Sequence, residues 1–112
     1  MSVIVSDRRT LVVGLGKTGL SCVRYLSGTG RDIAVADSRS NPPGLDELKA
    51  GWPDVPVYLG NFDEELFARF NELVVSPGIS IGEPPIAGAA QKGAVIRGDI
   101  DLFAEAADAP II

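Results

Sequence analysis

The stretch Thr10-Leu11-Val12-Val13-Gly14-Leu15-Gly16-Lys17-Thr18-Gly19-Leu20 constrains this chain more than any other. A short apolar run with β-branched residues leads into glycines spaced as GxGxxG, and a helical pattern follows. Strand, turn and helix in that order form a nucleotide-binding βαβ unit. Gly14 permits the tight turn. Gly16, lacking a Cβ, lets backbone come close to a phosphate, and Gly19 lets the new helix pack closely on the sheet. The helix N-terminus then aims unpaired N–H groups and a partial positive charge at a bound diphosphate.

The remaining composition narrows the chemistry. With 112 residues the chain has the length for one compact domain and a modest core. No apolar run approaches the ~18 residues of a membrane span, and no charged-then-apolar leader suggests a signal peptide, so no membrane partner is expected. The single cysteine, Cys22, cannot form an internal disulfide, which fits a reducing cytoplasm. Its position in a helical pattern suits a small buried side chain. The formal net charge is −5, and Lys and Arg are not clustered, so a nucleic-acid partner is not expected. An acidic protein still binds an anionic nucleotide through local backbone dipoles and one or two cations. There is no His, which removes the usual triads and zinc sites, so neither a catalytic residue nor a metal site is expected in this stretch.

In chain order, Met1 to Arg9 reads as a lead-in to a strand over Thr10 to Gly14. A helix is predicted from Lys17 or Thr18 to Ser27, with Leu20, Val23 and Leu26 on one face and Gly28 and Gly30 ending it. Ile33-Ala34-Val35-Ala36-Asp37 is a second strand. Asp37 lies eighteen residues beyond Gly19, close to the ~20 at which a dinucleotide fold places its ribose-binding acid. A ligand role is favoured for it over a loop-capping one. Pro42-Pro43-Gly44 is a rigid turn, and Leu45 to Ala50 a short helix stopped by Gly51. Trp52 is expected to cover the core edge rather than stack on a base.

Val55 to Gly60 reads as a third strand. Asn61-Phe62-Asp63-Glu64 resembles a capping box with Asn61 at the N-cap, and Asp63, Glu64 and Glu65 complement the helix dipole. Glu72-Leu73-Val74-Val75 is a fourth strand running into Ser76-Pro77-Gly78-Ile79, a loop that should face the Gly-rich turn. Gly78 either exposes backbone to a ligand or only shapes that turn. A helix starts at Glu83-Pro84-Pro85 and ends at Gly93, Ala94 to Ile96 is a fifth strand, and Asp99 to Ala106 is a helix. Pro110-Ile111-Ile112 reads as the opening of another buried strand, so a longer protein is expected. The fold class is α/β: a Rossmann-like, open, mostly parallel sheet of about five strands with helices on both faces.

Several of these motifs occur together, in this order, in one known family. Gly14-Leu15-Gly16-Lys17-Thr18-Gly19-Leu20-Ser21, Asp37-Ser38-Arg39, Pro42-Pro43-Gly44-Leu45, Ser76-Pro77-Gly78-Ile79 and Gly98-Asp99-Ile100-Asp101-Leu102-Phe103 resemble the Mur ligase family from Leu11 onward. The resemblance implies an amino-terminal domain, residues 1–97, that holds UDP-N-acetylmuramoyl-L-alanine. Residues 98–112 would lead into a central ATP-binding domain. In the whole ligase, ATP and Mg²⁺ activate the substrate carboxyl as an acyl phosphate, which D-glutamate attacks on a C-terminal domain. No GxxxxGK[ST] stands in this chain, so by that reading these residues bind substrate and do not catalyse alone.

The family's diphosphate contacts fall on Lys17 and Thr18, its uracil loop on Asp37, Ser38 and Arg39, and its facing loop on Ser76, Pro77 and Gly78. Thr18 can donate a hydroxyl to phosphate, Asp37 can accept an imide N–H, and Ser38 and Arg39 can donate to carbonyls. Two positions depart from the family pattern: Lys17 stands where an apolar residue can occur, and Ser38 where we associate a Thr. The other readings are a dinucleotide domain binding NAD or NADP, with Arg39 suited to a 2′-phosphate, and a ligand-sensing regulatory module.

Overall fold

The computed structural model describes residues 9–29, 32–60, 62–79, 82–98, 101, 102 and 104. Strand β1 (Arg9–Val13) is followed by α1 (Lys17–Ser27), β2 (Asp32–Asp37), α2 (Leu45–Gly51), β3 (Val57–Leu59) and α3 (Glu64–Phe67). Then come β4 (Glu72–Val75), α4 (Pro84–Gln91) and β5 (Val95–Gly98). The strands form one parallel sheet in the order β3-β2-β1-β4-β5, the open α/β arrangement expected from the sequence.

Strands buried on both faces read as near-continuous apolar runs, as Leu11-Val12-Val13 and Leu73-Val74-Val75 do. Their alternation divides the core in two. Leu11, Val13, Ala34, Ala36, Leu73 and Val75 pack against Phe67 of α3 and against Ile86 and Ala89 of α4. On the opposite face, Val12, Val35 and Val74 meet Leu20, Val23 and Leu26 of α1 and Leu45 and Leu48 of α2. The register keeps these rows level, with Val12 opposite both Val35 and Val74. Cys22 is buried on the α1 side. Trp52 covers the edge of the same core, as expected, and its indole N–H donates to the Ser27 hydroxyl at 3.2 Å.

Some elements differ from the sequence reading. The third strand is shorter than Val55 to Gly60. Val55 N–H donates back to Trp52 O in a turn, and Pro56 has no N–H to add to the ladder. The N-cap of α3 is Asp63, whose carboxylate accepts from Glu65 N–H at 3.0 Å, while Asn61 lies outside the described residues. That puts Glu64 and Glu65 inside the first turn, where they do complement the dipole.

The fifth strand continues to Gly98. Beyond it Asp101, Leu102 and Ala104 are helical. Gly98 N–H donates to the Asp101 carboxylate at 3.0 Å, half of a capping box, and Leu102 is fully buried on the α1 side. Residues 1–8, Gly30, the rest of the expected last helix and Pro110-Ile111-Ile112 lie outside the described residues. Among the described residues no helix is long and apolar enough to cross a membrane.

A buried polar cluster crosses three strands on the α1 side. Thr10 of β1 donates its hydroxyl to Glu72 Oε1 at 2.6 Å, and Glu72 Oε2 stands 3.1 Å from Arg97 Nε of β5.

The contact that seats α1 on the sheet is a glycine contact. A Cβ built on Gly19 would stand 2.2 Å from the Gly14 carbonyl oxygen, a backbone atom that cannot rotate away. Gly19→Ala should therefore cost about 3 kcal/mol, the upper end for overpacking a tight site. Gly16→Ala, whose Cβ meets nothing within 4 Å, should stay within about 0.5 kcal/mol of the parent. Urea unfolding of the two variants checks the contrast, and equal stabilities would refute it.

Candidate functional site

In an open α/β sheet the ligand crevice lies beyond the carboxyl ends of the strands, where the strand order reverses. Here that point falls between β1 and β4, because β2 and β3 extend the sheet one way and β4 and β5 the other. A cavity of about 470 Å³ opens there. The β1–α1 turn contributes Gly14, Gly16, Lys17 and Thr18. The end of β2 contributes Asp37, Ser38 and Arg39, and the loop after β4 contributes Ser76, Pro77, Gly78 and Ile79. The loops singled out from sequence thus surround one space.

Of the predicted site residues, Gly19 alone stands outside the lining. It sits one helical position further in, where its missing Cβ admits the Gly14 carbonyl. Ile79 lines the cavity without having been singled out. Its apolar side chain carries no polar signal, and only its place after Ser76-Pro77-Gly78 could have suggested it.

Backbone hydrogen bonds fix the three loops to one another. Gly14 has φ +100, which favours glycine, and its N–H donates to Ala36 O at 2.8 Å. Ser76 N–H donates to Val13 O at 3.0 Å, and Ser76 Oγ donates to Gly14 O at 3.3 Å. A Cβ on Gly14 would lie 2.8 Å from both Ser76 Oγ and Ile79 Cδ1. The turn is therefore held from both neighbouring strands, and its backbone faces the cavity.

The N-terminus of α1 differs from those of the other described helices. Its N-cap is Gly16, without a side-chain cap, and its first turn holds no acid. The N–H groups of Lys17, Thr18 and Gly19 have no acceptor among the described residues. By contrast α2 has Asp46 and Glu47 in its first turn, and α3 has Asp63, Glu64 and Glu65. In α4, Glu83 is the N-cap and Pro84 and Pro85 remove donors. The favourable place for an anion is thus α1, where dipole, free N–H groups and the Thr18 hydroxyl coincide. Lys17 adds an exposed ammonium with no ion-pair partner among the described residues.

Asp37 shows what the sequence did not. It is only 2 % exposed, and both its oxygens accept from the protein. Oδ2 accepts from Leu15 N–H at 2.7 Å and from Arg39 Nη2 at 2.7 Å. Oδ1 accepts from Arg39 N–H at 2.8 Å and Arg39 Nε at 2.9 Å. The guanidinium thus grips the carboxylate with a two-pronged fork while its outer face stays 55 % exposed. Burial works to raise the Asp37 pKa and is the largest single influence. The Arg39 side chain, with the Leu15 and Arg39 N–H groups, outweighs it and holds the carboxyl below its ordinary value. Ser38 is exposed and lines the cavity.

A carboxyl whose folded pKa is lowered stabilises the fold above its unfolded value, near 4, and loses that contribution as pH falls through the folded value. Asp37→Asn should therefore destabilise by about 1–3 kcal/mol at pH 7. The gap to the parent should narrow steadily below about pH 4. Denaturant titrations at pH 7 and pH 3 read this directly, and a gap that widens in acid contradicts it.

Residues 8–98 match the family model described as the Mur ligase MurD-like N-terminal domain. Over all 112 residues the chain is 88% identical to UDP-N-acetylmuramoylalanine--D-glutamate ligase of Marinobacter nauticus, of which it spans 25%. It is 52% identical to the ligase of the same name from Pseudomonas aeruginosa, again over 25% of that protein. The chain thus spans about a quarter of the length of these relatives. Among solved structures, a pseudomurein peptide ligase type C from Methanothermus fervidus superposes with TM-score 0.70 at 20% identity. That match covers 87% of this chain and 20% of the other, a likeness of fold. A chorismate mutase/shikimate 5-dehydrogenase fusion protein from Clostridium acetobutylicum shares the fold more loosely, with TM-score 0.54 at 15% identity over 88% of this chain and 44% of that one. By its sequence, this chain belongs to the MurD-like amino-terminal domains of the Mur ligases.

Proposed function

We propose that this chain is the substrate-holding first domain of an ATP-dependent ligase that adds D-glutamate to UDP-N-acetylmuramoyl-L-alanine in peptidoglycan precursor synthesis. The observation that carries the reading is the acid-free, donor-rich N-terminus of α1 opening into the cavity at the reversal of strand order. The diphosphate sits there, on the N–H groups of Lys17, Thr18 and Gly19, the Thr18 hydroxyl and the Lys17 ammonium. Gly16 leaves the approach open, since nothing occupies the place of its Cβ.

Uracil lies between the β1–α1 turn and the Asp37-Ser38-Arg39 loop. Its imide edge carries an acceptor beside a donor. It can therefore give its own N–H to Asp37 in the place of Arg39 Nη2 and take that guanidinium N–H in one exchange, leaving neither group unpaired and the Leu15 N–H still on Asp37 Oδ2. Ser38 and the exposed face of Arg39 donate to the remaining carbonyl. Ser76, Pro77 and Gly78 close the opposite wall, with Ile79 as an apolar support. The muramoyl peptide then extends away from the sheet toward the remaining domains of the ligase.

This chain does not fit ATP and its Mg²⁺. It holds no GxxxxGK[ST], and among the described residues no three His, Cys, Asp or Glu side chains stand together as metal ligands. Acyl-phosphate formation and attack by D-glutamate belong to the central and C-terminal domains, and the role of these residues is to bind and orient the nucleotide end. A cytoplasmic setting agrees with the buried thiol of Cys22 and with a nucleotide-linked substrate.

Calorimetry on the full-length protein tests the assignment: UDP-N-acetylmuramoyl-L-alanine should bind and NADH should not, and saturation by NADH alone would overturn it. Lys17→Ala should weaken UDP binding about three- to fivefold at low ionic strength, as for an exposed ion pair worth up to ~1 kcal/mol. The difference should fade as salt is raised. If the affinity and its salt dependence are unchanged, Lys17 makes no contact with the diphosphate.

A further inference from the structure

The hydrogen bonds of Asp37 join two parts of the cavity that are far apart in sequence. One oxygen holds the N–H of Leu15, in the middle of the Gly-rich turn that presents the helix N-terminus. The same carboxylate holds the backbone and side chain of Arg39, which shape the loop after β2. Arg39 Nη2 also lies 3.4 Å from the Leu15 carbonyl, so the fork touches the turn on both sides of its peptide. The group making these ties is almost wholly buried. A displacement of either loop must therefore stretch a charge-assisted bond in low dielectric or move the other loop with it.

We infer that Asp37 is a positioning residue that couples the phosphate-binding turn to the base-binding loop, so that filling one half of the cavity prepares the other. The inference rests on the proposed uridine diphosphate reading of the site. It adds a role that direct contact with the base does not supply. An Asp37 that only touched uracil would leave a bare phosphate ligand unaffected. An Asp37 that holds Leu15 and Arg39 in one arrangement affects a ligand it never meets. Each half-ligand orders part of the shared network, and the second then binds a site whose ordering is already complete. Linkage requires the effect to be reciprocal.

The experiment uses the full-length protein and two probes, uridine and inorganic pyrophosphate, each titrated by calorimetry in the absence and in the presence of the other. In the parent protein, uridine at its half-occupying concentration and above should tighten pyrophosphate binding progressively, reaching about fivefold at saturation as measured by direct calorimetry. Pyrophosphate should tighten uridine binding by the same factor. In Asp37→Ala the two affinities should become independent, and pyrophosphate alone should bind more weakly than to the parent. Independent affinities in the parent overturn the inference, and so does coupling that survives in a folded Asp37→Ala protein. Should that variant fail to fold by circular dichroism, Asp37→Asn takes its place: it loses the charge-assisted grip on Arg39, and coupling at the parent's full strength in it overturns the inference. Binding of UDP-N-acetylmuramoyl-L-alanine without any coupling between the probes defeats this inference and leaves the substrate assignment standing. Failure of the parent to bind that nucleotide defeats the assignment itself.

Discussion

The structure depends on how closely one helix is allowed to approach one turn. Gly19 brings the first turn of α1 against the Gly14 carbonyl with no space for a methyl group. That approach decides where the helix axis points and hence where its unpaired N–H groups converge. Held a few ångströms further out, the same helix would still bury Leu20, Val23 and Leu26, but its positive end would no longer face the crevice between β1 and β4. Packing and the direction of the unpaired N–H groups are therefore set by the same absent atom. Ser76 and Ile79 crowd Gly14 from the other side, so the turn is confined between its own helix and the loop of a strand distant in sequence.

Much of this was legible from residue types and spacing. Leu11-Val12-Val13 before Gly14 announced a buried parallel strand and its turn, and Leu20, Val23 and Leu26 announced the inner face of α1 over its observed length. The three loops singled out from sequence meet around one space because each follows a strand, and parallel strands end at a common edge. The details that were missed are those that sequence separation does not encode. Nothing in Asp37-Ser38-Arg39 says that the carboxylate turns inward, because its partner Leu15 offers a backbone N–H that any residue possesses. Asn61 and Asp63 are both good N-caps, and the choice fell to the residue whose extended backbone leads directly into Glu64. The third strand was overestimated because Val55 looks like a strand residue until the turn at Trp52 engages its N–H, and because Pro56, which lacks an N–H, was counted within the ladder.

Charge is distributed with a consistent sense around the carboxyl edge of the sheet. The chain is acidic overall, yet the described acids at helix starts belong to α2, α3, α4 and the helix after β5 and leave α1 uncovered. Asp37, the carboxylate that does line the cavity, is paired with Arg39 and so presents little net negative field to an incoming diphosphate. Among the described residues, this rim of an acidic protein therefore opposes the approach of an anion less than the starts of α2, α3 and α4 do.

The polar cluster of Thr10, Glu72 and Arg97 bears on the same edge from within the sheet. Side chains on a strand alternate between faces, so a slip of β4 or β5 by one residue would turn Glu72 or Arg97 toward the aliphatic and aromatic packing beneath α3 and α4. Dispersion forces among Leu, Val and Ile tolerate such a shift more readily than a buried carboxylate does. The cluster thus serves as an alignment key for the outermost strand, which pairs with β4 along one edge and has no strand along the other among the described residues. With β5 indexed, Gly98 is held level with Val75, and the Asp101 carboxylate that accepts its N–H starts the next helix from a fixed height at the carboxyl edge of the sheet.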